Sequence, residues 1–361
     1  MVTEKIRFFK HIQKSVIHNP MMNNELDTQE LEIRKDPLTG AQSVFNSRLA
    51  DKATMFFGKS DTALIERLAE QSQINCFLCE ERWKQFTPTY PADLIPEGRI
   101  QIGQAVLFPN IFPAAQIHGV VRVGEKHHVP LAEFDPAAVA DAFETSLTLA
   151  RRLKATNSGV KFLTINGNYL GPAGASIAHP HFQVVGGDLP FTYLANIMNL
   201  SREYFQRHQT CFWNDLLEIE KAGDERYIGS TGPVEWLASF SPAGSNEVIG
   251  ILPDRSHFLE FDQDDVNGLA QGLVKILCGY ADMGISTFNF SLYSGVLGET
   301  DRSFRCLIRV ISRQNVYENY RTDDYFLQKL LDNELVITPP EVLTKNIRSL
   351  WKTPAEASPK S

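Results

Sequence analysis

The sequence predicts an α+β fold made of two similar halves, each a mostly antiparallel sheet with a helix packed on one face. Two observations lead there. The order strand–strand–helix–strand–strand occurs twice along the chain. The stretches that follow the second strand of each set, RVGEKHHVPLAEFD and ILPDRSHFLEFD, also match loosely. The composition agrees. With 43% hydrophobic and 22% charged residues over 361 positions, the chain is an ordinary globular one with ample core for one large or two smaller domains.

Residues 1–30 are polar and irregular and are expected to form an N-terminal arm or a packed extension. The first half, 31–215, carries strand candidates at 100–108 and 115–123, then a polar segment with His127 and His128. A helix should open at Asp135 and Pro136, an N-cap followed by proline at the first helical position. Val139, Phe143, Leu147 and Ala150 then recur at helical spacing. Strands at 160–166 and 182–185 flank a Gly-rich loop. The second half, 216–350, repeats the pattern, with strands at 235–240 and 247–252. PDRSH and EFDQDD then lead into a helix ending near Asp282, and strands follow at 287–293 and 304–312. Residues 351–361 read as a disordered tail.

The formal charge of -8 disfavours a nucleic-acid partner, so a small polyanion would need a locally positive site. No run of eighteen apolar residues and no apolar leader segment occurs, so no membrane partner is expected and the location is expected to be cytoplasmic. Of the five cysteines, Cys211, Cys278 and Cys306 are scattered through apolar surroundings, and only Cys76 and Cys79 form a close pair.

The chemistry concentrates in NYLGPAGASIAHPHFQ, from Asn168 to Gln183. On a strand, alternate residues share a face, which would point His179, His181 and Gln183 together. Gly171 and Gly174 permit positive φ and let backbone N–H groups approach an anion. Three polar side chains beside a donor-rich loop suit phosphate chemistry.

GASIAHPHFQ resembles the active-site motif of the galactose-1-phosphate uridylyltransferases and their relatives, including the dinucleoside polyphosphate phosphorylases, within the histidine-triad superfamily. Further islands follow in family order over roughly 31–190: Arg34-Lys-Asp-Pro-Leu-Thr-Gly40, Cys76-Phe-Leu-Cys79 and Phe108-Pro-Asn-Ile-Phe-Pro113. The resemblance implies a histidine-triad-like fold and a nucleotidyl transfer in which His181 attacks the α-phosphorus of a nucleotide or nucleotide-sugar. The covalent intermediate then passes to a phosphate-bearing acceptor. It also implies nucleotide and phosphate contacts from Asn168, Gly174, Ser176 and Gln183, with positive charge from Arg34 and Arg48, although Arg34 could equally make a structural ion pair. A homodimer is common among such proteins. Gln183 stands where a hydrolase branch has a third histidine. An amide can hold a phosphoryl oxygen but cannot deliver a proton, so transfer between phosphates is favoured over hydrolysis. Phe182 replaces a small residue and is expected to pack behind the strand.

The resemblance further implies a zinc ion, structural in role, held by Cys76, Cys79, His127 and His179, with His128 as a rival for the third place. The late strand Arg305–Arg309 lacks the His-x-His of a second metal site found in some relatives. The stretch from Tyr325 through Asp332-Asn-Glu-Leu departs from the family's hexose-recognition segment, which leaves base, sugar and acceptor open. His11, His18, His118, His208 and His257 have no motif context and are read as surface or core residues.

Overall fold

The computed structural model describes residues 5–52 and 58–352. Ten strands form one continuous sheet in which every neighbouring pair is antiparallel. The first half supplies β4 (Ile100–Ile102), β5 (Ala105–Pro109), β6 (Ile117–Arg122), β7 (Phe162–Tyr169) and β8 (His181–Gly187). The second supplies β9 (Tyr227–Thr231), β10 (Val234–Ala238), β11 (Val248–Ile251), β12 (Phe288–Tyr293) and β13 (Leu307–Ser312). The order across the sheet is β4-β5-β6-β8-β7-β12-β13-β11-β10-β9. Read inward from either edge, each half places its fifth strand before its fourth, so the halves repeat one topology and join at the β7–β12 seam. The halves therefore share a sheet instead of each closing its own.

The described helices are α1 (Thr62–Gln73), α2 (Arg82–Phe86), α3 (Pro136–Ala155), α4 (Thr192–His208), α5 (Phe212–Gly223), α6 (Gln263–Asp282), α7 (Phe326–Leu331) and α8 (Pro340–Ile347). The crossover helices α3 and α6 occupy equivalent places in the two halves. The Asp135 carboxylate accepts the Ala137 N–H at the start of α3, and Asp262 closes a capping box with Asp265 at the start of α6. Both helices pack on one face of the sheet, where Phe143, Phe182, Phe290, Trp236 and Tyr280 join a single core. On the opposite face, α4 and α5 bury Leu194, Phe212 and Leu216 against Ile249 and Leu307 of the second half. The Cys76–Cys79 segment and Trp83 cover Val106, Phe108 and Val120 of the first half. Between these two covers, β7, β8 and β12 keep a half-exposed polar strip.

Several expectations need correction. The candidate strand 100–108 is a hairpin, because Gly103 adopts φ 52 and a Cβ there would lie 2.0 Å from the Asp141 carboxylate. The supposed irregular arm is regular. β1 (Phe9–Asn19) and β2 (Glu25–Lys35) pair antiparallel without a break, and with β3 (Gln42–Asn46) and β14 (Asn333–Val336) they form a second sheet. Most of β1 is exposed on both faces. Cross-strand pairing, not an apolar alternation, defines it, so its composition reads as loop. The boundary at residue 30 falls inside β2. The supposed tail begins too early: Trp351 packs against Trp236 at 6.4 Å. Residues 353–361 lie outside the described residues. No helix among the described residues is long and apolar enough to cross a membrane.

Candidate active site and metal cluster

The loop before α2 brings Cys76 and Cys79 under the turn that leads into β8. Their sulfurs and the Nδ1 atoms of His127 and His179 all lie within 4.8 Å of one another, and all four residues are buried. Cys79 Sγ is 3.3 Å from His127 Nδ1 and 3.5 Å from His179 Nδ1, and Cys76 Sγ is 3.9 Å from His179 Nδ1. A tetrahedral ion with sulfur and imidazole ligands requires edges of about 3.6 Å, so the donor set is already spaced for one. The remaining ring nitrogens point outward. His127 Nε2 lies 2.8 Å from Ser72 Oγ and His179 Nε2 lies 3.2 Å from the Gly124 carbonyl, the outer partners that fix metal-binding imidazoles. Burial, then the adjacent Cys76, pushes the Cys79 thiol up to about 12, and burial brings His179 down to about 4. Both shifts favour the neutral forms of Cys79 and His179, and binding a cation would displace the thiol proton. His128 lies outside the cluster, with its ring stacked 6.4 Å from that of Tyr169. Arg122 anchors the cysteine segment by donating to the Leu78 and Glu80 carbonyls.

His181 begins β8 two residues beyond His179. The two side chains do not share a pocket as alternation suggested. His179 precedes the strand and turns into the Cys–His cluster, while its backbone serves His181. His181 Nδ1 lies 2.9 Å from the His179 carbonyl, which has no proton to give. The Nδ1 therefore carries the hydrogen, and Nε2 keeps a free lone pair. His181 is buried, and burial lowers its pKa. The result is a neutral imidazole whose tautomer is set by the backbone of a cluster residue.

Across the sheet from β8, register aligns Val120, Gln183, Asn166, Ser291 and Arg309 in one row. Ser291 Oγ donates to Asn166 Oδ1 at 2.8 Å, and Asn166 Nδ2 donates to Thr164 Oγ1 at 2.9 Å. One pleat further along, Asn289 Nδ2 donates to Asn168 Oδ1 at 2.6 Å and to the Ala173 carbonyl at 2.8 Å. That pair ties the Gly-rich loop to β12. The Asn168 amide is thereby oriented with its nitrogen free of these bonds. The loop leaves β7 through Leu170, a buried non-glycine residue at φ 64, ψ 167. It then tightens through Gly171–Ala173 and reverses at Gly174, φ 86, where nothing would oppose a ligand within 4 Å of a Cβ. Gly174 and Ser176 are exposed. Phe182 points the other way, into the core against Phe290 at 4.8 Å.

No family model matches the chain. A protein of Archaeoglobus fulgidus described as uncharacterized is 32% identical over 348 residues, which is 96% of this chain and 99% of its own. An ADP-glucose phosphorylase of Arabidopsis thaliana is 21% identical over 281 residues, 70% of this chain and 75% of its own. The crystal structure of an Arabidopsis ADP-glucose phosphorylase with bound ADP-glucose superposes with a TM-score of 0.66 at 17% identity, over 88% of this chain and 98% of that one. A uridylyltransferase structure gives 0.62 at 15% identity over the same shares. At these identities the structures speak for fold, and that fold houses the sequence islands described above. The chain belongs to one family with the Archaeoglobus fulgidus protein and shares the fold of the ADP-glucose phosphorylase and uridylyltransferase structures.

Within this uridylyltransferase-like frame, two expected contributors stand elsewhere. Arg34 is buried, and its guanidinium is engaged by Glu32 at 2.5 Å, by both Glu341 oxygens at 2.8 and 3.2 Å and by the Phe240 carbonyl at 3.3 Å. It is a structural clamp between β2 and α8, not a phosphate ligand facing the strip. Arg48 pairs with Asp27 at 3.2 Å. The second half has no counterpart of the reactive pair. The seam's symmetry sets Leu307 and Arg309 in the places of His181 and Gln183, and Arg309 pairs with the buried Glu247 at 2.5 Å. Sequence reading overlooked Asn166, Asn289 and Ser291. Their signal was the alternation Asn166-x-Asn168 and Asn289-x-Ser291 on strands otherwise built of apolar residues.

Proposed function

We propose that this protein transfers a nucleoside monophosphate from a nucleotide-sugar to a phosphate-bearing acceptor through a nucleotidyl-His181 intermediate. The observation that carries the reading is the His181–His179 hydrogen bond, because it leaves Nε2 unprotonated beside the polar strip. In the first step the Nε2 lone pair attacks the α-phosphorus. A P–N bond forms, the P–O bond to the sugar phosphate breaks, and the sugar phosphate leaves with the electron pair. Its pKa is low, so no proton need be supplied. The imidazole gains positive charge as the bond forms, and the His179 carbonyl at Nδ1–H is placed to stabilise it. The Gln183 amide, the oriented Asn168 amide and the loop around Gly174 and Ser176 hold the phosphoryl oxygens. In the second step an acceptor phosphate oxygen attacks the same phosphorus, and the P–N bond breaks to restore neutral His181.

Cys76, Cys79, His127 and His179 would hold one zinc ion, whose closed ligand set gives it a structural role in fixing the turn ahead of His181. The named activity of the Arabidopsis protein makes ADP-glucose with inorganic phosphate the first pair to test. The diagnostic experiment is partial exchange. Labelled glucose 1-phosphate should enter ADP-glucose, or the corresponding sugar nucleotide of another base, with no phosphate present. Exchange that appears only when phosphate is added indicates one direct displacement and removes the intermediate.

A further inference from the structure

His118, on β6, carries no motif, yet its ring joins the backbone to Gln183. Its Nδ1 lies 3.0 Å from the Ala114 backbone nitrogen, and its Nε2 lies 2.8 Å from Gln183 Oε1. The Ala114 N–H can only donate, so Nδ1 must be the unprotonated nitrogen of a neutral ring and Nε2 must carry the hydrogen. The Nε2–H has two neighbours, Gln183 Oε1 and, at 3.2 Å, Asn110 Nδ2. The Asn110 amide is itself oriented, since its Oδ1 accepts the Phe112 N–H at 2.9 Å. Its nitrogen therefore has no lone pair to offer. Only Gln183 Oε1 can accept the proton.

We propose that His118 is a positioning residue that fixes the orientation of the Gln183 amide, so that its NH2 group and not its oxygen faces the phosphoryl group. The direction of every hydrogen bond in this relay descends from one backbone N–H. A glutamine free to flip would offer its oxygen lone pairs to an anionic phosphoryl oxygen half the time. A fixed amide is preorganised to donate in the transition state without reorientation. Among the described residues, no hydrogen bond occupies Gln183 Nε2, consistent with a donor kept for a ligand. The proposal rests on the reading of Gln183 as a donor to the transferred phosphoryl group.

Two substitutions separate positioning from structure. In His118→Gln the side-chain amide nitrogen replaces Nε2 and can still donate to Gln183. In His118→Asn the amide oxygen replaces Nδ1 and can still accept from Ala114, but nothing reaches Gln183. The rate of nucleotidyl-enzyme formation should fall about 10- to 100-fold in His118→Asn and stay within about threefold in His118→Gln, with KM little changed in both. Neither change should slow a Gln183→Ala enzyme further. If the asparagine variant keeps the rate and the glutamine variant loses it, or if the losses multiply with Gln183→Ala, His118 only supports the 110–114 turn and the proposal falls. A readout independent of turnover accompanies these. Long-range 1H–15N spectra of the ligand-free wild type should place the His118 proton on Nε2, and a proton on Nδ1 overturns the proposal. A wild type that forms no adduct sinks the underlying catalytic reading instead, and the spectrum still decides the relay.

Discussion

Substituting Arg34 should lower stability and leave nucleotide binding intact. The guanidinium is sandwiched between Phe45 and Phe240, with ring centroids 4.4 and 5.0 Å away, and Arg226 continues the ladder between Phe240 and Phe8. Glu341 bridges the two cations, 2.8 Å from Arg34 and 3.0 Å from Arg226. Burial opposes ionisation of its carboxyl, but the hydrogen bond and charge of Arg34, with help from Arg226, prevail and hold it at about 2 in place of 4.5. At about 1.4 kcal/mol per pH unit, that corresponds to about 3.5 kcal/mol. Removing one partner of a buried pair typically costs about 3–5 kcal/mol, because the other charge is left uncompensated. Arg34→Met should therefore lose about 3.5 kcal/mol in urea unfolding, and Arg34→Met with Glu341→Gln should lose less than the sum of the single changes. The sign in pH follows. The unfolded carboxyl binds its proton first, so the contribution is complete above about pH 4.5 and fades as pH falls toward 2. The wild-type advantage over Glu341→Gln should shrink over that window. A stability loss under about 1 kcal/mol together with a tenfold rise in KM for nucleotide would refute this reasoning and return Arg34 to the phosphates.

Cys79→Ser and His127→Ala should each lose most of the bound zinc and lower the melting temperature, whereas His128→Ala should retain the metal. Elemental analysis of protein purified without chelator checks this, and equal retention in both histidine variants contradicts the cluster. At Leu170, a Gly variant should be more stable than an Ala variant by about 1–3 kcal/mol, reversing the usual order, because only glycine relaxes the positive φ while both lose the leucine packing beyond Cβ. Equal stabilities in denaturant would mean that the backbone there is unstrained. Because burial lowers the His181 pKa, adduct formation should stay level as pH falls through 6.5 and decline only below it. Pre-steady-state rates that halve near 6.5 or above would show an ordinary, solvated imidazole.

Much of this architecture was legible in advance, and the failures have physical causes. Asp135-Pro136 announced α3 because a side-chain cap and a preset φ act within one turn. The repeated strand order revealed the duplicated fold because alternation survives wherever one face is buried. Cys-x-x-Cys and His-Pro-His are local, so their residues could be named, but only the fold turns His127 inward and His128 onto Tyr169. Arg34 stayed open between a phosphate contact and an ion pair because its partner Glu341 lies 307 positions away, and a buried ion pair leaves no local trace. His118 was passed over for the same reason. Its role depends on the β6–β8 register and on a turn residue four positions earlier.

The central claim is that His181 Nε2 becomes bonded to phosphorus. Rapid quench of the enzyme with a sugar nucleotide labelled at the α-phosphate, in the absence of acceptor, tests it most directly. Acid-labile, base-stable label should appear on the protein at close to one equivalent, map to the peptide containing His181, and be discharged by added phosphate or sugar phosphate. His181→Ala should carry none, and Gln183→Ala should acquire it about 10²–10³ times more slowly. No label on an enzyme that turns over the same substrate, with inversion at the α-phosphorus, would contradict the account, since the acceptor would then displace the leaving group in a single step.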